Sequence, residues 1–180
     1  MAAEVAGELA HEVDMEVCGD LLAQAGATNT AWSKAQPPAI SLLDHYDSFY
    51  ARLLEGSNII YQNTRKVQAN ILVCGLGVAA IISASRNFVP SGNAGVGPYL
   101  LGTYGQFTVY VSPDFPANEY VLGYRGTGLF DAGYVYCPFI PITPSDLLRT
   151  DDLVGRRAWM MSYGKRMINS NMYCRGAILA

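Results

Sequence analysis

Two glycines that follow a short apolar run are the residues best placed to bind a nucleotide. Residues 71–80 read Ile-Leu-Val-Cys-Gly-Leu-Gly-Val-Ala-Ala, a strand pattern followed by Gly-x-Gly-x-x-Ala and the start of a helix. In dinucleotide-binding folds, such a turn presents the N–H groups of a helix N-terminus to a pyrophosphate. Here no strand ending in Asp or Glu follows about 20 residues later, where a ribose hydroxyl would need an acceptor. Gly75 and Gly77 are more simply interpreted as a tight strand-to-helix turn, and protein is predicted to fill the space above it.

Other side chains with catalytic potential lack the partners that catalysis requires. His11 and His45 stand in no His-Glu-x-x-His pattern, and the sequence contains no Gly-x-Ser-x-Gly motif. The glycine-rich residues 91–97 lack the Gly-Lys-Ser/Thr ending of a phosphate-binding loop. No aromatic cleft or cation cluster is tied to the adjacent Asp151 and Asp152, which are interpreted as solvated loop residues. We therefore expect no enzymatic activity, no cofactor and no metal site.

The four cysteines are far apart in the sequence. Cys18, Cys74, Cys137 and Cys174 form no Cys-x-x-Cys pair, whereas zinc sites and disulfide scaffolds use clustered cysteines. We expect reduced thiols that are mostly buried, since free cysteine is among the most buried residue types.

Composition excludes several functional classes. The 180 residues are 51% hydrophobic and 15% charged, with a net charge of −3, which argues against disorder and favours one domain with a sizeable core. Two short basic pairs, Arg156-Arg157 and Lys165-Arg166, are too few for a dedicated nucleic-acid surface. The longest apolar stretch, residues 71–84, is shorter than the roughly 20 residues that cross a bilayer, and the acidic N-terminus resembles no targeting peptide. The balance indicates a structural protein that binds neither membrane nor specific nucleic acid.

Charge divides the chain into two parts. Of the 15 Asp and Glu residues, six lie within residues 1–33, which leaves nine acids against all 12 Lys and Arg in the remainder. Within the acidic part, apolar residues recur every fourth position from Val5 to Leu21, which predicts a helix over residues 3–25. Such a helix packs either on its own domain as a solvated element or against a basic sheet or neighbouring subunit. Both alternatives remain open at this point.

The rest of the chain predicts an α+β fold, with helices first and an antiparallel-leaning sheet after them. Residues 28–43 are linker-like, because adjacent prolines at 37 and 38 exclude a helix there. Pro138, Pro141 and Pro144 are predicted to end the strand that begins at residue 133. The predicted helices are 44–67 and 78–85, and the predicted strands are 70–74, 107–111, 119–123, 133–137, 158–163 and 172–175.

One segment is distinctive enough to suggest a family. Residues 120–142, Tyr-Val-Leu-Gly-Tyr-Arg-Gly-Thr-Gly-Leu-Phe-Asp-Ala-Gly-Tyr-Val-Tyr-Cys-Pro-Phe-Ile-Pro-Ile, closely resemble a passage of the major capsid proteins of T-even-type tailed bacteriophages. Residues 156–164 resemble that family's closing strand, and residues 12–17, 68–74 and 105–113 resemble earlier motifs in the same order. The resemblance marks ten signature positions with a structural, assembly role: Gly123, Tyr124, Gly126, Asp131, Gly133, Pro138, Pro141, Arg157, Tyr163 and Gly164.

The resemblance implies the Hong Kong 97-type capsid fold. Residues 1–43 would form a spine helix and linker of the peripheral domain, 44–119 the axial domain, and 120–180 the peripheral-domain strands. The acidic helix would then lie along a sheet that is rich in Lys and Arg, which accounts for the uneven charge. Complete family members are longer, so this chain would correspond to their C-terminal portion. We expect it to be folded alone, as monomers or small oligomers rather than closed shells.

The function that the resemblance implies is mechanical. The chain would be a major capsid subunit that tiles an icosahedral or prolate phage head, made in the host bacterial cytoplasm and located in the virion. Its partners would be copies of itself in hexamers or pentamers, together with scaffold, vertex or decoration proteins. Two alternatives remain: a small nucleotide-binding α/β protein that uses Gly75 and Gly77, and an encapsulin-like cellular shell protein.

Overall fold

The computed structural model describes residues 2–92, 97–128, 131–149 and 155–179. These residues form an α+β fold in which three helices surround one large sheet, and a two-stranded arm extends from that sheet. The helices are α1 (Ala2–Gln24), α2 (Leu42–Thr64) and α3 (Leu76–Ala84).

The helix predictions are confirmed, with ends displaced by three residues or fewer. Helix α2 buries Phe49, Leu53 and Ile60 completely, which is the apolar face that the sequence spacing predicted. It ends three residues earlier than predicted because Arg65 adopts a left-handed conformation, with φ of 52°. The N–H group of Arg65 donates to the Tyr61 carbonyl at 2.7 Å and closes the last turn.

Eight strands form the main sheet. Their order is β1-β12-β7-β3-β6-β5-β4, and β2 also pairs with β12. Strands β3 and β6 are parallel, as are β1 and β2 with β12, whereas the other pairings are antiparallel, so the prediction of an antiparallel-leaning sheet is confirmed. The strands are β1 (Ala27–Thr28), β2 (Trp32–Ser33), β3 (Ile71–Cys74), β4 (Phe88–Pro90), β5 (Tyr99–Tyr104), β6 (Phe107–Val111), β7 (Glu119–Gly123) and β12 (Tyr173–Leu179).

The last strand lies near one edge of this sheet and is longer than the sequence predicted. The alternating pattern of 172–175 is followed by Gly176, which weakens a strand pattern, yet β12 continues alongside β7 to Ala177 and then alongside β2 to Leu179. Gly176 is required there because a Cβ atom would overlap the ring of Tyr120. Of the segment predicted as peripheral strands, β7 and β12 thus belong to the same sheet as β3 and β6.

A two-stranded antiparallel arm leaves the sheet between β7 and β12. It consists of β8 (Tyr134–Pro144) and β11 (Trp159–Met167), with the short pair β9 (Leu148–Arg149) and β10 (Gly155–Arg156) further along the chain between them. We call β8 and β11 the arm. The two strands are longer than the predicted 133–137 and 158–163.

The prediction that three prolines end the first arm strand is wrong. Pro138 and Pro144 pair with Tyr163 and Trp159 inside β8, and Pro141 lies between them. Proline is tolerated in a ladder where its nitrogen faces away from the partner strand. At each of two register shifts, β8 has one residue more than the segment of β11 opposite it. Each extra residue reverses the alternation along β8, so prolines three residues apart all place their nitrogen at the edge that faces away from β11.

The sequence analysis missed β4, β5 and the short strands β1, β2, β9 and β10. Strand β4 ends in Pro90, and β5 contains Gly102, so neither shows the alternation that predicts a strand. The linker predicted at 28–43 contains β2, whose Trp32 is buried and donates to the Ser48 hydroxyl at 3.1 Å. Of the predicted glycine-rich loop, residues 93–96 lie outside the described residues, as do Asp151 and Asp152.

Two apolar clusters lie on opposite sides of the sheet. The larger packs α2 and α3 on β3, β6 and β7, and it contains the fully buried Leu72, Val109 and Leu122. The smaller packs α1 on the other side through Leu21, against residues that include Tyr173.

The apolar stripe of α1 is buried increasingly toward the C-terminal end of the helix. Val5 is 38% exposed and Leu9 is half-buried, whereas Val13 and Leu21 are each 8% exposed. The helix contacts β7 and β11, so it packs on strands of its own chain. Of the alternatives left open by the sequence, packing on its own domain therefore holds for the apolar side of the helix.

Candidate assembly surface

The glycine turn that resembles a nucleotide site is filled by the chain itself. A Cβ atom on Gly75 would overlap the backbone of Pro116, and one on Gly77 would lie 2.7 Å from the Ala117 carbonyl oxygen. The N–H of Gly75 donates to the Glu119 carbonyl at 3.1 Å, and the N–H of Val78 donates to Ala117 at 3.2 Å. Protein therefore fills the space above the turn, as the sequence analysis predicted, and the N–H groups of Gly75 and Val78 are already used.

Two signature glycines meet around one aromatic ring where the arm joins the sheet. A Cβ atom on Gly123 or on Gly133 would lie 2.7 or 2.6 Å from the ring of Tyr173, which is 6% exposed. The Gly133 carbonyl also accepts hydrogen bonds from the N–H groups of Ile168 and Asn169, at 2.9 and 3.0 Å. Both strands of the arm are thus held to the sheet at this point, and any side chain larger than hydrogen would displace the ring.

Three further signature residues shape the connection between β7 and β8. Tyr124 is half-buried in the smaller apolar cluster, and Gly126 allows Asp131 to approach, since a Cβ atom there would lie 2.6 Å from that of Asp131. The Asp131 carboxylate forms an ion pair with Lys66, just after α2. The connection is therefore tied to the body of the protein as well as to the arm.

The sequence analysis did not single out Asn70, which fixes the same connection from the sheet. Its side chain donates to the Arg125 carbonyl at 2.9 Å and accepts from the Arg125 N–H at 2.7 Å. The Asn70 side chain thereby replaces the backbone of a neighbouring strand, to which Arg125 would be bonded if β7 continued that far. Asn70 lies in the motif of residues 68–74, which is the signal that could have identified it.

A polar cluster fastens the arm to the acidic helix. Lys165 on β11 lies 2.8 Å from a Glu16 carboxylate oxygen and 2.6 Å from one of Asp20. The Tyr134 hydroxyl donates to Asp20 at 2.8 Å, and the Tyr163 hydroxyl donates to Glu16. We call these five residues the latch. Only Tyr163 among them is a signature position. The pairing of acids on α1 with a lysine on β11 nevertheless agrees with the predicted docking of an acidic helix on a basic sheet.

The latch shifts the ionisation of its members in a consistent direction. Hydrogen bonds from Lys165, and then from Tyr163, lower the pKa of Glu16. The hydrogen bond from Lys165 also lowers the pKa of Asp20 despite partial burial, which opposes ionisation. Desolvation opposes the charge of Lys165, yet its bonds to Asp20 and Glu16 outweigh this and raise its pKa. Lys165, Glu16 and Asp20 are thus charged at neutral pH, whereas the two tyrosines donate as neutral hydroxyls.

The remaining signature residues lie along the arm or beyond its end. Pro138 and Pro141 are exposed on β8, and Gly164 pairs with Cys137 across the arm. A Cβ atom on Gly164 would lie 3.3 Å from the ring of Phe139, so the glycine lets that ring lie across β11. Arg157 is exposed between β10 and β11, away from the other signature residues.

An open apolar groove of about 930 Å³ runs between the helix, the arm and the uncovered side of the sheet. Its walls include Val17 of α1, Val73 of β3, and Tyr136 and Ile142 of β8. The groove exists because α1 covers this side of the sheet only near β7, and the arm stands beside it. Its lining is mostly apolar, and Asp14, Ser112 and Arg125 also border it.

The cysteines behave largely as the sequence predicted. All four are free thiols, with Cys74 and Cys174 buried, Cys18 half-buried and Cys137 exposed on the arm. Burial raises the pKa of Cys74 to about 12 and that of Cys174 to about 11, so neither is a thiolate at neutral pH.

Neither a metal-binding cluster nor a membrane-spanning helix occurs among the residues that the structure describes. Within residues 2–92, 97–128, 131–149 and 155–179, no cluster of three or more His, Cys, Asp or Glu side chains could hold a metal ion. In the same ranges no helix has the length and apolar content needed to cross a bilayer.

Comparison with known proteins gives the chain a family. The sequence model of the major capsid protein Gp23 family matches residues 1–178. No curated protein sequence matches the chain.

Solved structures share the fold at low sequence identity. A chain from Mycobacterium phage Che8 has a TM-score of 0.61 and 17% identity, with 95% of this chain and 60% of that one covered. The virus-like particle from Pyrococcus furiosus gives a TM-score of 0.59 and 10% identity, with 93% and 63% covered. A chain from Gordonia phage Cozz gives 0.51 and 10%, with 98% and 62% covered.

The chain therefore spans about three-fifths of the length of these solved chains. Its fold is the Hong Kong 97-type capsid fold that the sequence resemblance implied. Together with the family match over residues 1–178, this shows that the chain belongs to the major capsid protein Gp23 family.

Proposed function

We propose that the chain is a structural subunit of a bacteriophage head. The observation that carries this proposal is the match of the capsid family over residues 1–178. The architecture supports it, since exposed apolar surface on the arm accompanies a well-packed sheet. The role is mechanical, and the chain is not an enzyme.

Its principal partners are copies of itself arranged in hexamers or pentamers. Scaffold, vertex and decoration proteins are further partners of the assembled shell. The subunit is made in the host bacterial cytoplasm and resides in the virion. The acidic surface of α1 and the net charge of −3 favour protein partners over nucleic acid, which requires basic patches.

A cellular shell is the second candidate. The structural similarity to a virus-like particle from Pyrococcus furiosus favours it specifically, because this fold also occurs in particles of that description. The two candidates are separated by the neighbouring genes, which encode portal, protease and scaffold in a phage and a packaged enzyme in a compartment. The nucleotide-binding alternative is disfavoured, because the backbone of residues 116–119 occupies the glycine turn.

Co-assembly tests the proposed function directly. The affinity-tagged chain is co-expressed with a complete member of the capsid family, and particles are isolated by gradient centrifugation and imaged by electron microscopy. We expect the tagged chain in capsomers or shells, and concentration-dependent small oligomers when it is purified alone. A chain that never enters a particle and stays monomeric at every concentration would contradict the proposal.

A further inference from the structure

The side of the arm that faces away from the helix is apolar and exposed. Along β11, Tyr163 and Lys165 point toward α1, so the alternate residues Met160 and Arg166 point the opposite way. Met160 is 55% exposed, and Arg166 is also exposed. This side is called the outer face of the arm.

Strand β8 contributes the most exposed residue of that face. Val135 and Cys137 pair with Arg166 and Gly164, which places them on the outer face as well. Phe139 covers Gly164 on the same face and is 76% exposed. An aromatic ring held across a glycine but left in solvent is typical of an interface anchor, since aromatic residues are enriched at the centres of protein interfaces.

A second exposed face lies on α1, on the side turned away from the sheet. Its residues recur at spacings of three and four, which places them on one side of the helix, and all are exposed. It contains two carboxylates between apolar or small residues and no cation. These residues, called the acidic face of α1, are Val5, Glu8, Glu12, Met15 and Gly19. Val5 lies on this face because the four-residue stripe drifts by about 40° per step around the helix, so its first residue is turned away from the buried Val13 and Leu21.

We infer that the outer face of the arm of one copy docks on the acidic face of α1 of the next copy. The charges are complementary, because the outer face contains Arg166 and no acid among its described residues, whereas the acidic face contains Glu8 and Glu12. The lengths also match. The six steps from Met160 to Arg166 on β11 span about 20 Å at 3.3 Å each, and the 14 steps from Val5 to Gly19 on α1 span about 21 Å at 1.5 Å each.

The contact must join two molecules rather than close within one. The latch holds the opposite side of the arm against the C-terminal half of the molecule's own α1, so the outer face points away from that helix. Two different surfaces then meet at each contact, so a copy can use its arm on one neighbour and its α1 on another, and this head-to-tail arrangement continues into rings or shells. The inference rests on the proposed function and names the surfaces that carry it.

Charge reversal and its compensation test this contact. Self-association of the purified chain is measured by sedimentation velocity over a concentration series, with folding checked by circular dichroism. Arg166→Glu and Glu12→Arg are each expected to weaken association about tenfold or more, and the chain with both changes to return to within about threefold of wild type. Lys34→Glu, an exposed reversal elsewhere, is the matched control and is expected to change nothing.

An apolar pair of variants gives an independent readout. Phe139→Ser is expected to weaken association about tenfold or more. Val89→Ser, at a residue 63% exposed on strand β4, controls for the general loss of apolar surface and is expected to have no effect. Because both positions are exposed, both variants are expected to keep the wild-type melting temperature.

The outcomes separate the inference from the proposed function. If wild type associates and the Arg166, Glu12 and Phe139 variants associate equally well, the contact is wrong while the capsid role stands. If the single charge variants are weakened but the double variant is not restored, the two faces do not meet each other. If wild type neither associates nor enters particles with a complete relative, the proposed function and the inference fail together.

Discussion

The main sheet and the arm are stabilised in opposite ways. Strands β3, β6 and β7 bury Leu72, Val109 and Leu122 completely between neighbouring strands and helix α2. The arm has only two strands, and it leaves Phe139 and Met160 largely in solvent. A two-stranded ribbon is marginal in water without packing against another element. The sheet is therefore stabilised by its own core, whereas the arm depends on the latch and on partners.

This difference indicates that the sheet and the arm have different roles, in the shape of the subunit and in its interactions. A core of close-packed side chains fixes the shape of the subunit, because it tolerates little change in volume. The arm presents apolar surface that a monomer gains nothing from exposing, which is typical of interaction surfaces. The junction glycines and the latch set the position of that surface relative to the sheet.

The largest effect is expected in the sheet core. Phe49 is fully buried, and its ring meets those of Trp32 and Tyr120 with centroids 5.3 and 5.5 Å apart. Phe49→Ala is expected to reduce the free energy of unfolding by about 3–5 kcal/mol, measured by urea denaturation. The matched change in the arm, Phe139→Ala, is expected to alter it by less than about 0.5 kcal/mol. Similar losses at both positions would remove the distinction between the two regions.

The next largest effect is expected at the junction. Gly133→Ala would place a methyl group 2.6 Å from the ring of Tyr173, and we expect it to lower the free energy of unfolding. The expected loss is about 1–3 kcal/mol, the cost of overpacking a filled site. Gly128→Ala is the control in the same connection, since its nearest contact would be Asp131 at an ordinary 3.8 Å. Equal stability of the two variants would mean that the junction is not closely packed.

Acidification is expected to loosen the arm before it unfolds the sheet. The pKa values of Glu16 and Asp20 are lowered in the folded protein, so their contribution is present above the usual carboxyl range and lost as pH falls through the folded values. The latch is expected to hold at pH 5 and above and to release below about pH 4. The indole N–H resonance of Trp159 on β11 reports the arm by NMR, and that of Trp32 reports the core.

A variant separates latch protonation from general acid unfolding. In the chain with both Glu16→Gln and Asp20→Asn, we expect the Trp159 resonance at neutral pH to have the chemical shift that it has in the wild type in acid. A Trp159 resonance that moves only together with that of Trp32, in both proteins, would contradict a separate release of the arm.

The smallest effect is expected at an exposed glycine of α1. Gly7 lies inside the helix, and a Cβ atom there would meet nothing within 4 Å. Gly7→Ala is expected to stabilise the protein by about 0.5–1 kcal/mol, because alanine has less backbone freedom to lose on folding. The gain is measured as a rise in the urea midpoint with an unchanged slope. A loss of stability would show that this part of the helix is packed more closely than its surroundings indicate.

Much of the sheet and the helices could be predicted from the sequence, because local patterns determine them. The four-residue spacing from Phe49 to Leu53 and the alternation of 107–111 were sufficient to predict α2 and β6. The filled glycine turn was also predictable, since the missing acidic residue argued against a nucleotide site. The capsid fold itself was inferred from ordered motifs rather than from periodicity.

The arm was less predictable because long-range register determines it. Proline at 138 argues locally against a strand, and the two bulges after it explain how β8 also contains Pro141 and Pro144. Lys165 and Glu16 are 149 positions apart, so the latch was visible in the sequence only as an uneven distribution of charge. The assembly role of the ten signature positions remains a prediction, although several of them surround the junction and the latch.

Hydrogen exchange along the chain tests most directly whether the sheet is stabilised by its own core while the arm depends on partners. Exchange is followed by mass spectrometry at concentrations below and above the onset of self-association. We predict that β3, β6 and β7 are protected at both concentrations, whereas β8 and β11 exchange rapidly in the monomer and slow by about tenfold or more on association. An arm that is as protected as the sheet in the monomer, or unchanged on association, would contradict the account.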